Sequence, residues 1–368
     1  MVMPELPIIL VKGTPFECGQ QYGTAASKLI HQNIDRYLQR WQRKSGTGRS
    51  EILKIGKEFI TAIGEYDSDI LQEINGIAKG AELSLEEVVT LNARYEISSH
   101  AAIAELPEGG CTSAAAQPEV TKEGHTIIGQ NWDLWPGIQG LSVVLEVMQE
   151  NKPPLVTITE AGVVAHRGMN SAGVASCFNA LKCSWDTASA RTPFMILARG
   201  ILSSDSLSQA LKTITRTSTT ASGNFLIAHR DGIAIDLEVT PRDVGVLYAE
   251  DGILTHSNHF LELTNRQGMD DEIKHTRPDT LLRFHRARQL LESAQGQIDF
   301  ENFECVFRDH SSYPNSICRH VNNRDNWLMR AATLSSVIMD LDDRVLYLAS
   351  GNPCENAYYR LAPEILQS

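Results

Sequence analysis

The chain has 368 residues and a mass of 40.7 kDa, with 42% hydrophobic and 21% charged residues. That composition supports a sizeable core, one large domain or two, and excludes both intrinsic disorder and a disulfide-stapled mini-fold. Acidic residues number 45 against 33 basic ones, a net charge of −12; without a long basic stripe, a nucleic-acid partner is not expected.

The first 100 residues read mostly as helix. Between Phe16 and Lys44, Tyr22, Leu29, Ile30, Ile34, Tyr37, Leu38 and Trp41 fall on one helical face. Ile52, Ile55, Phe59, Ile60 and Ile63 repeat the spacing, and Ser84 with Glu87 forms a capping-box signature ahead of Val88. The character changes at Pro107-Glu108-Gly109-Gly110-Cys111. Short β-rich runs follow at Thr126–Gln130, Leu141–Met148, Leu155–Thr159 and Gly162–His166. Thr192–Thr217 returns to helix, with Ser204 as a cap. Asp231-Gly232 and Asp251-Gly252 are turns among the strands Phe225–Ala228, Ile233–Val239, Val244–Ala249 and Leu254–Ser257. A helix is predicted from Asp279 to Ala294, and a hairpin joins Leu334–Asp340 to Val345–Ser350. Grouped helices and clustered hairpins predict antiparallel sheets in a layered α+β fold.

No apolar run reaches the roughly 18–20 residues of a membrane span. The first seven residues, Met-Val-Met-Pro-Glu-Leu-Pro, lack a signal peptide's basic start, and the last three are not a peroxisomal tripeptide. A cytoplasmic protein with reduced thiols and no membrane partner is expected.

Five clusters could carry chemistry. In Gly109-Gly110-Cys111-Thr112-Ser113 the glycines let another group come close to a cysteine at the head of a strand. Taken alone, that cysteine reads more readily as a small buried packing residue. Gly129-Gln130-Asn131-Trp132-Asp133 ends a strand-like run, and Asp133 either polarises a nearby amine or thiol or closes an Asx-type turn. His256-Ser257-Asn258-His259 invites a metal reading, but the spacing lacks a third ligand and no metal is expected. Asn258 is the stronger candidate there, because a side-chain amide can serve an oxyanion. Asp309-His310 leads into Ser316-Ile317-Cys318-Arg319-His320, where Arg319 could hold a carboxylate and His310 or His320 could pair with Cys318. Gly351-Asn352-Pro353-Cys354 reads as a turn. The seven cysteines are odd in number and form no CxxC pair.

In this order the motifs resemble the isopenicillin N acyltransferase (acyl-coenzyme A:6-aminopenicillanic acid acyltransferase) family of N-terminal-nucleophile hydrolases, from Gly13 to about Tyr359. Gly168-Met169-Asn170 with Gly173-Val174 is similar to the more distant choloylglycine hydrolases. The resemblance implies a single domain, 1–368, with the four-layer αββα sandwich of two antiparallel sheets. It implies self-cleavage between Gly110 and Cys111 into chains 1–110 and 111–368, with Cys111 the new N-terminal nucleophile. Asp133 would lie beside its α-amine, Asn258 would serve the oxyanion, and Arg319 would sit in the catalytic centre. The implied substrate is a small-molecule amide or acyl thioester, with acyl-coenzyme A a candidate substrate and no cofactor. The stretch from Cys111 to Asp133 is a few residues longer than in the penicillin enzyme, around Glu119–Gly124, which could reshape the pocket rim; because the peroxisomal tripeptide is missing and related sequences hydrolyse quite different amides, penicillin is not the expected substrate. The competing readings are a papain-like Cys/His thiol hydrolase and a non-catalytic protein that retains the fold.

Overall fold

The computed structural model describes residues 6–100, 102–103 and 110–367. Pro107, Glu108 and Gly109 of the motif before Cys111 lie outside the described residues. The strands are β1 (Ile8–Gly13), β2 (Thr112–Ala116), β3 (Ile127–Leu134), β4 (Ser142–Gln149), β5 (Leu155–Glu160), β6 (Arg167–Asn170) and β7 (Val174–Ala180). They continue with β8 (Gly223–His229), β9 (Ile233–Val239), β10 (Val244–Tyr248), β11 (Ile253–His256), β12 (Ala332–Asp340), β13 (Val345–Ser350) and β14 (Tyr359–Leu361). An eight-stranded sheet runs β1-β4-β5-β6-β7-β8-β9-β10, and a six-stranded sheet runs β11-β2-β3-β12-β13-β14.

The core shows how these sheets stack. Along β4 the alternation of a strand splits the side chains: Val143, Leu145 and Val147 join a cluster with the N-terminal helices, whereas Val144 faces the other sheet. Val156, Ile158, Met169, Leu226, Val337, Met339 and Leu346 fill the space between the sheets. The outer face of the six-stranded sheet packs Ala114, Ile127 and Ile338 against Ala287, Leu291, Phe303 and Phe307 of the helices Asp279–Glu292 and Phe300–Phe307. The order is therefore helices, sheet, sheet, helices: an αββα sandwich. One edge departs from the antiparallel expectation, since β1 pairs with β4 in parallel.

Several boundaries differ from the sequence reading. The run from Phe16 to Lys44 is two helices, Pro15–Ala25 and Ser27–Ser45, broken at Ala26. The run from Ile52 to Ile63 is likewise two, Arg49–Lys57 and Phe59–Tyr66. Thr192–Thr217 contains Phe194–Leu202 and Leu207–Thr215, and the cap of the second is Ser206, which accepts from the Gln209 N–H. Ser204 instead donates back to the Gly200 carbonyl. Gly162–His166 is a loop, and the strand starts at Arg167. The Ser84–Glu87 capping box is present at the start of Leu85–Asn92. The helices Pro15–Ala25 and Ser68–Ala81 meet backbone to backbone: a Cβ at Gly19 would lie 1.9 Å from the Glu73 carbonyl oxygen, and one at Gly76 would lie 2.2 Å from that of Phe16. Among the described residues no helix is long and apolar enough to cross a membrane.

Candidate active site

Cys111 stands one residue before β2 and is 2% exposed. Its thiol donates to the backbone carbonyl of Asp133, 3.6 Å away on the neighbouring strand. Gly110 is a glycine for a steric reason: a Cβ there would lie 2.3 Å from Arg319 Nε.

β3 runs to Leu134, so Asp133 lies within the strand and not in a turn after it. Strand alternation distributes its polar run. Gln130 Nε2 donates to the Phe178 carbonyl on β7 at 2.5 Å, across the two sheets. Asn131 points the other way and donates to the carbonyls of Phe307 (2.8 Å) and Ile317 (2.9 Å), which anchors the loop leading to Arg319. Asp133 is fully buried and faces Thr333, its partner on β12, whose hydroxyl donates to Oδ1 at 2.6 Å. Arg319 Nε lies 3.3 Å from Asp133 Oδ2.

Arg319 is held from every side. Its N–H donates to Thr333 Oγ1 at 2.9 Å, Nη1 donates to Asn315 Oδ1 at 2.9 Å, and Nη2 is paired with Asp279. Asn352 Nδ2 donates to its carbonyl at 2.7 Å.

A second arginine, absent from the sequence reading, ties the site together. Arg283 Nη1 donates to the carbonyls of Gly110 (2.5 Å) and Cys111 (2.7 Å) and to Thr112 Oγ1 (3.0 Å). Its Nη2 donates to Asn258 Oδ1 at 2.9 Å, and its Nε to Asp279 Oδ2 at 3.1 Å. Asn258 is oriented by that contact and gives an Nδ2 hydrogen to the Ala180 carbonyl at 2.9 Å, while its own N–H donates to Thr280 Oγ1. The four residues singled out from sequence, Cys111, Asp133, Asn258 and Arg319, thus meet in one buried network, with Arg283, Asp279 and Thr333 as links. Asp279 and Arg283 look in the sequence like an ordinary helical i,i+4 pair, and Thr333 lies just before the strand expected from Leu334, which in the structure begins at Ala332.

Burial sets the proton affinities. It pushes the Cys111 thiol up to about 11, with the Asp133 charge adding to the rise and Arg283 and Arg167 opposing it. It pushes Asp133 up to about 7 against the pull of Arg319 and Arg283. Burial would raise Asp279 as well, but Arg283 and Arg319 outweigh it and hold that carboxyl below its ordinary value.

The two histidines of His256-x-x-His259 are buried and hydrogen-bonded. His256 Nε2 is 3.1 Å from Glu238 Oε1, and His259 Nδ1 is 3.2 Å from Ser257 Oγ. His310 and His320 lie beside Cys318 and Cys354.

Next to the network, a narrow cavity is lined by Tyr37, Tyr95, Leu134, Phe178 and Phe194, and by Ala180, whose carbonyl holds Asn258. Arg40 lines this cavity and also a wider, more open cleft containing Arg36, Arg43, Arg330, Trp135 and Trp327.

The four layers, with this network at one end of β2, β3, β11 and β12, define the N-terminal-nucleophile hydrolase fold. The family model described as acyl-coenzyme A:6-aminopenicillanic acid acyl-transferase matches residues 120–355. The chain is 30% identical over 346 residues to the 40 kDa form of acyl-coenzyme A:6-aminopenicillanic-acid-acyltransferase of Emericella nidulans, a match spanning 94% of this chain and 92% of the relative. This chain belongs to that acyltransferase family. Among solved structures, a conjugated bile acid hydrolase variant from Clostridium perfringens aligns with a TM-score of 0.48 at 14% identity, over 69% of this chain and 97% of that one. Penicillin V acylase from Agrobacterium tumefaciens aligns with a TM-score of 0.44 at 14% identity, over 65% and 83%.

Proposed function

We propose that the protein is an autoproteolytically activated cysteine acyltransferase or amide hydrolase with Cys111 as its nucleophile. The observation that carries this reading is a buried cysteine preceded by a glycine whose carbonyl oxygen is already held by a guanidinium. The Gly110 oxygen accepts from Arg283, and Arg319 packs into the space that a side chain on Gly110 would occupy.

In the precursor, Cys111 Sγ attacks the Gly110 carbonyl carbon. The C–N bond to Cys111 breaks, its nitrogen takes the thiol proton, and Gly110 is left as a thioester that water opens to a carboxylate and a free thiol. The Arg283 guanidinium is aimed at the oxygen on which negative charge develops. Cleavage gives Cys111 an α-amine, whose ordinary pKa of about 7.7–8.0 leaves a free-base fraction near neutrality. That amine takes the thiol proton as Sγ attacks a substrate carbonyl and returns it to the leaving group. The acyl group then passes from sulfur to water or an amine. The Asp133 carboxylate offsets the positive charge that the amine and Arg319 bring to the site, and the second Nδ2 hydrogen of Asn258 is free of the Ala180 bond to serve the oxyanion.

The aromatic cavity suits an apolar acyl group. The relative's name supplies the donor, an acyl-coenzyme A, whose phosphates and purine are of the chemistry that arginines and tryptophans take. Arg43 lies 4.1 Å over the Trp327 ring in the adjoining cleft, where the described lining has no acidic side chain. This chain and its two products are the only protein partners the reading requires.

The test is a panel of acyl-coenzyme A thioesters and small amides with the wild type and Cys111→Ala. Turnover with acylation of Cys111 supports the reading. Equal turnover by the variant overturns it. Complete inertness of a cleaved wild type favours the non-catalytic alternative. A papain-like mechanism at Cys111 gains nothing from the geometry, because His320 contacts Cys318, Cys354 and His310 rather than Cys111.

A further inference from the structure

Outside the catalytic network, four metal-ligating side chains converge. His310, Cys318, His320 and Cys354 each offer an atom, and these atoms all lie within 4.8 Å of one another. The two sulfurs are 3.4 Å apart. His320 Nε2 lies 3.8 Å from Cys318 Sγ, 3.3 Å from Cys354 Sγ and 3.1 Å from His310 Nε2. Zinc binds sulfur at about 2.3 Å and imidazole nitrogen at about 2.0–2.1 Å, so a tetrahedral centre separates its ligands by roughly 3.3–3.8 Å. The observed spacings cluster around those values.

The surroundings also suit thiolate and imidazole ligands. The Asn352 amide donates to Cys318 Sγ at 3.6 Å, and the Cys354 backbone N–H donates to the same sulfur. Glu355 Oε1 is 3.8 Å from His320 Nδ1, the ring nitrogen not used in the cluster, where a carboxylate orients a ligating imidazole. Two thiolates and two neutral imidazoles would neutralise a divalent ion, and the mixed sulfur–nitrogen set selects zinc over harder cations.

We propose that His310, Cys318, His320 and Cys354 form a closed, structural zinc site that fixes the loop carrying Arg319. Cys318 and His320 flank Arg319 in the chain. Cys354 anchors the turn after β13, and Asn352 of that turn bonds both Cys318 Sγ and the Arg319 carbonyl. The metal would therefore pin the backbone on both sides of the arginine that faces Asp133. Only this positioning consequence rests on the catalytic reading above; the metal site itself does not.

The experiment is metal analysis of the full-length protein, purified without chelators, then exposed to zinc and passed through gel filtration. About one zinc per chain is expected. Cys354→Ser and the surface-exposed His310→Ala should each lose most of it, whereas Cys111→Ala should retain it whether or not the chain cleaves itself. Cobalt in place of zinc should give the thiolate charge-transfer and tetrahedral d–d bands, a signature that needs no variant. Removal of the metal should slow turnover in proportion to the metal lost. A wild-type protein that takes up neither ion overturns the site, as does a Cys318–Cys354 disulfide seen as a mass about 2 Da lower. Zinc binding with turnover unchanged on its removal overturns the positioning role.

Discussion

Arg283 Nη1 donates to the carbonyl oxygen of Gly110 at 2.5 Å. The same guanidinium reaches Asn258 through its other terminal nitrogen, so the proposed cleavage site and the proposed oxyanion donor share one rigid fork. Arg283→Lys keeps a charge but loses the fork, because an ammonium cannot span these acceptors. Chain cleavage should slow by roughly 10²–10³-fold, the usual effect of removing an oxyanion donor. A time course of the full-length band on a denaturing gel measures it; cleavage at the wild-type rate would contradict the role.

Gly110→Ala places a methyl group 2.3 Å from Arg319 Nε, and Arg319 has little room to yield because Asp279, Asn315 and Thr333 all hold it. The overpacking should cost about 1–3 kcal/mol. Thermal unfolding should shift down and cleavage should slow together. A variant with unchanged melting and cleavage would mean that the loop relaxes freely.

Asn258→Ala should lower kcat by roughly 10²–10³-fold and still permit at least partial cleavage. Its Nδ2 bond to Ala180 orients the amide, so Asn258→Asp, which removes the donor but keeps the shape, should be equally slow. Normal turnover in either variant would remove Asn258 from the oxyanion role.

Stability should depend on pH through Asp133. Its carboxyl is pushed up to about 7 by burial, against about 3.9 in an unfolded chain. The folded state therefore holds the proton through the window from about 4 to 7 while the unfolded state has released it. The contribution of this group to stability is greatest below that window and falls as pH rises through it. In the Cys111→Ala background, which keeps one chain, Asp133 and Asp133→Asn proteins can be compared by urea unfolding at pH 5 and pH 8. The advantage of aspartate over asparagine should shrink toward pH 8; an advantage that grows would contradict the shift.

The sequence made the site legible through the order of short motifs: Cys111, Asp133, Asn258 and Arg319 each belong to one, and each enters the network. Arg283 and Asp279 were hidden because a carboxylate and a guanidinium four residues apart look alike on a buried and an exposed helix face. Thr333 acts through strand register, which one strand's sequence does not reveal. The layers were readable from grouped helices and hairpins. β1 was not, because Ile8 and Leu10 sit on an edge strand at 50% and 53% exposure and carry no buried–polar alternation. The long helical runs were overextended where Ala26 and the polar stretch Ser203–Ser206 break the hydrogen-bond ladder without glycine or proline to announce it. Of the four proposed metal ligands, His310, Cys318 and His320 fall in one segment that the sequence singled out, but Cys354 comes from another, so the complete set had no sequence signature.

The central claim, that Cys111 becomes an N-terminal nucleophile by cutting the chain before itself, is tested most directly by intact-mass measurement of the purified protein. The account predicts two chains, residues 1–110 and 111–368, the second beginning with a free-amine Cys111, and a single full-length, inactive chain for Cys111→Ala. A wild-type chain that stays whole while Cys111→Ala retains activity would contradict it.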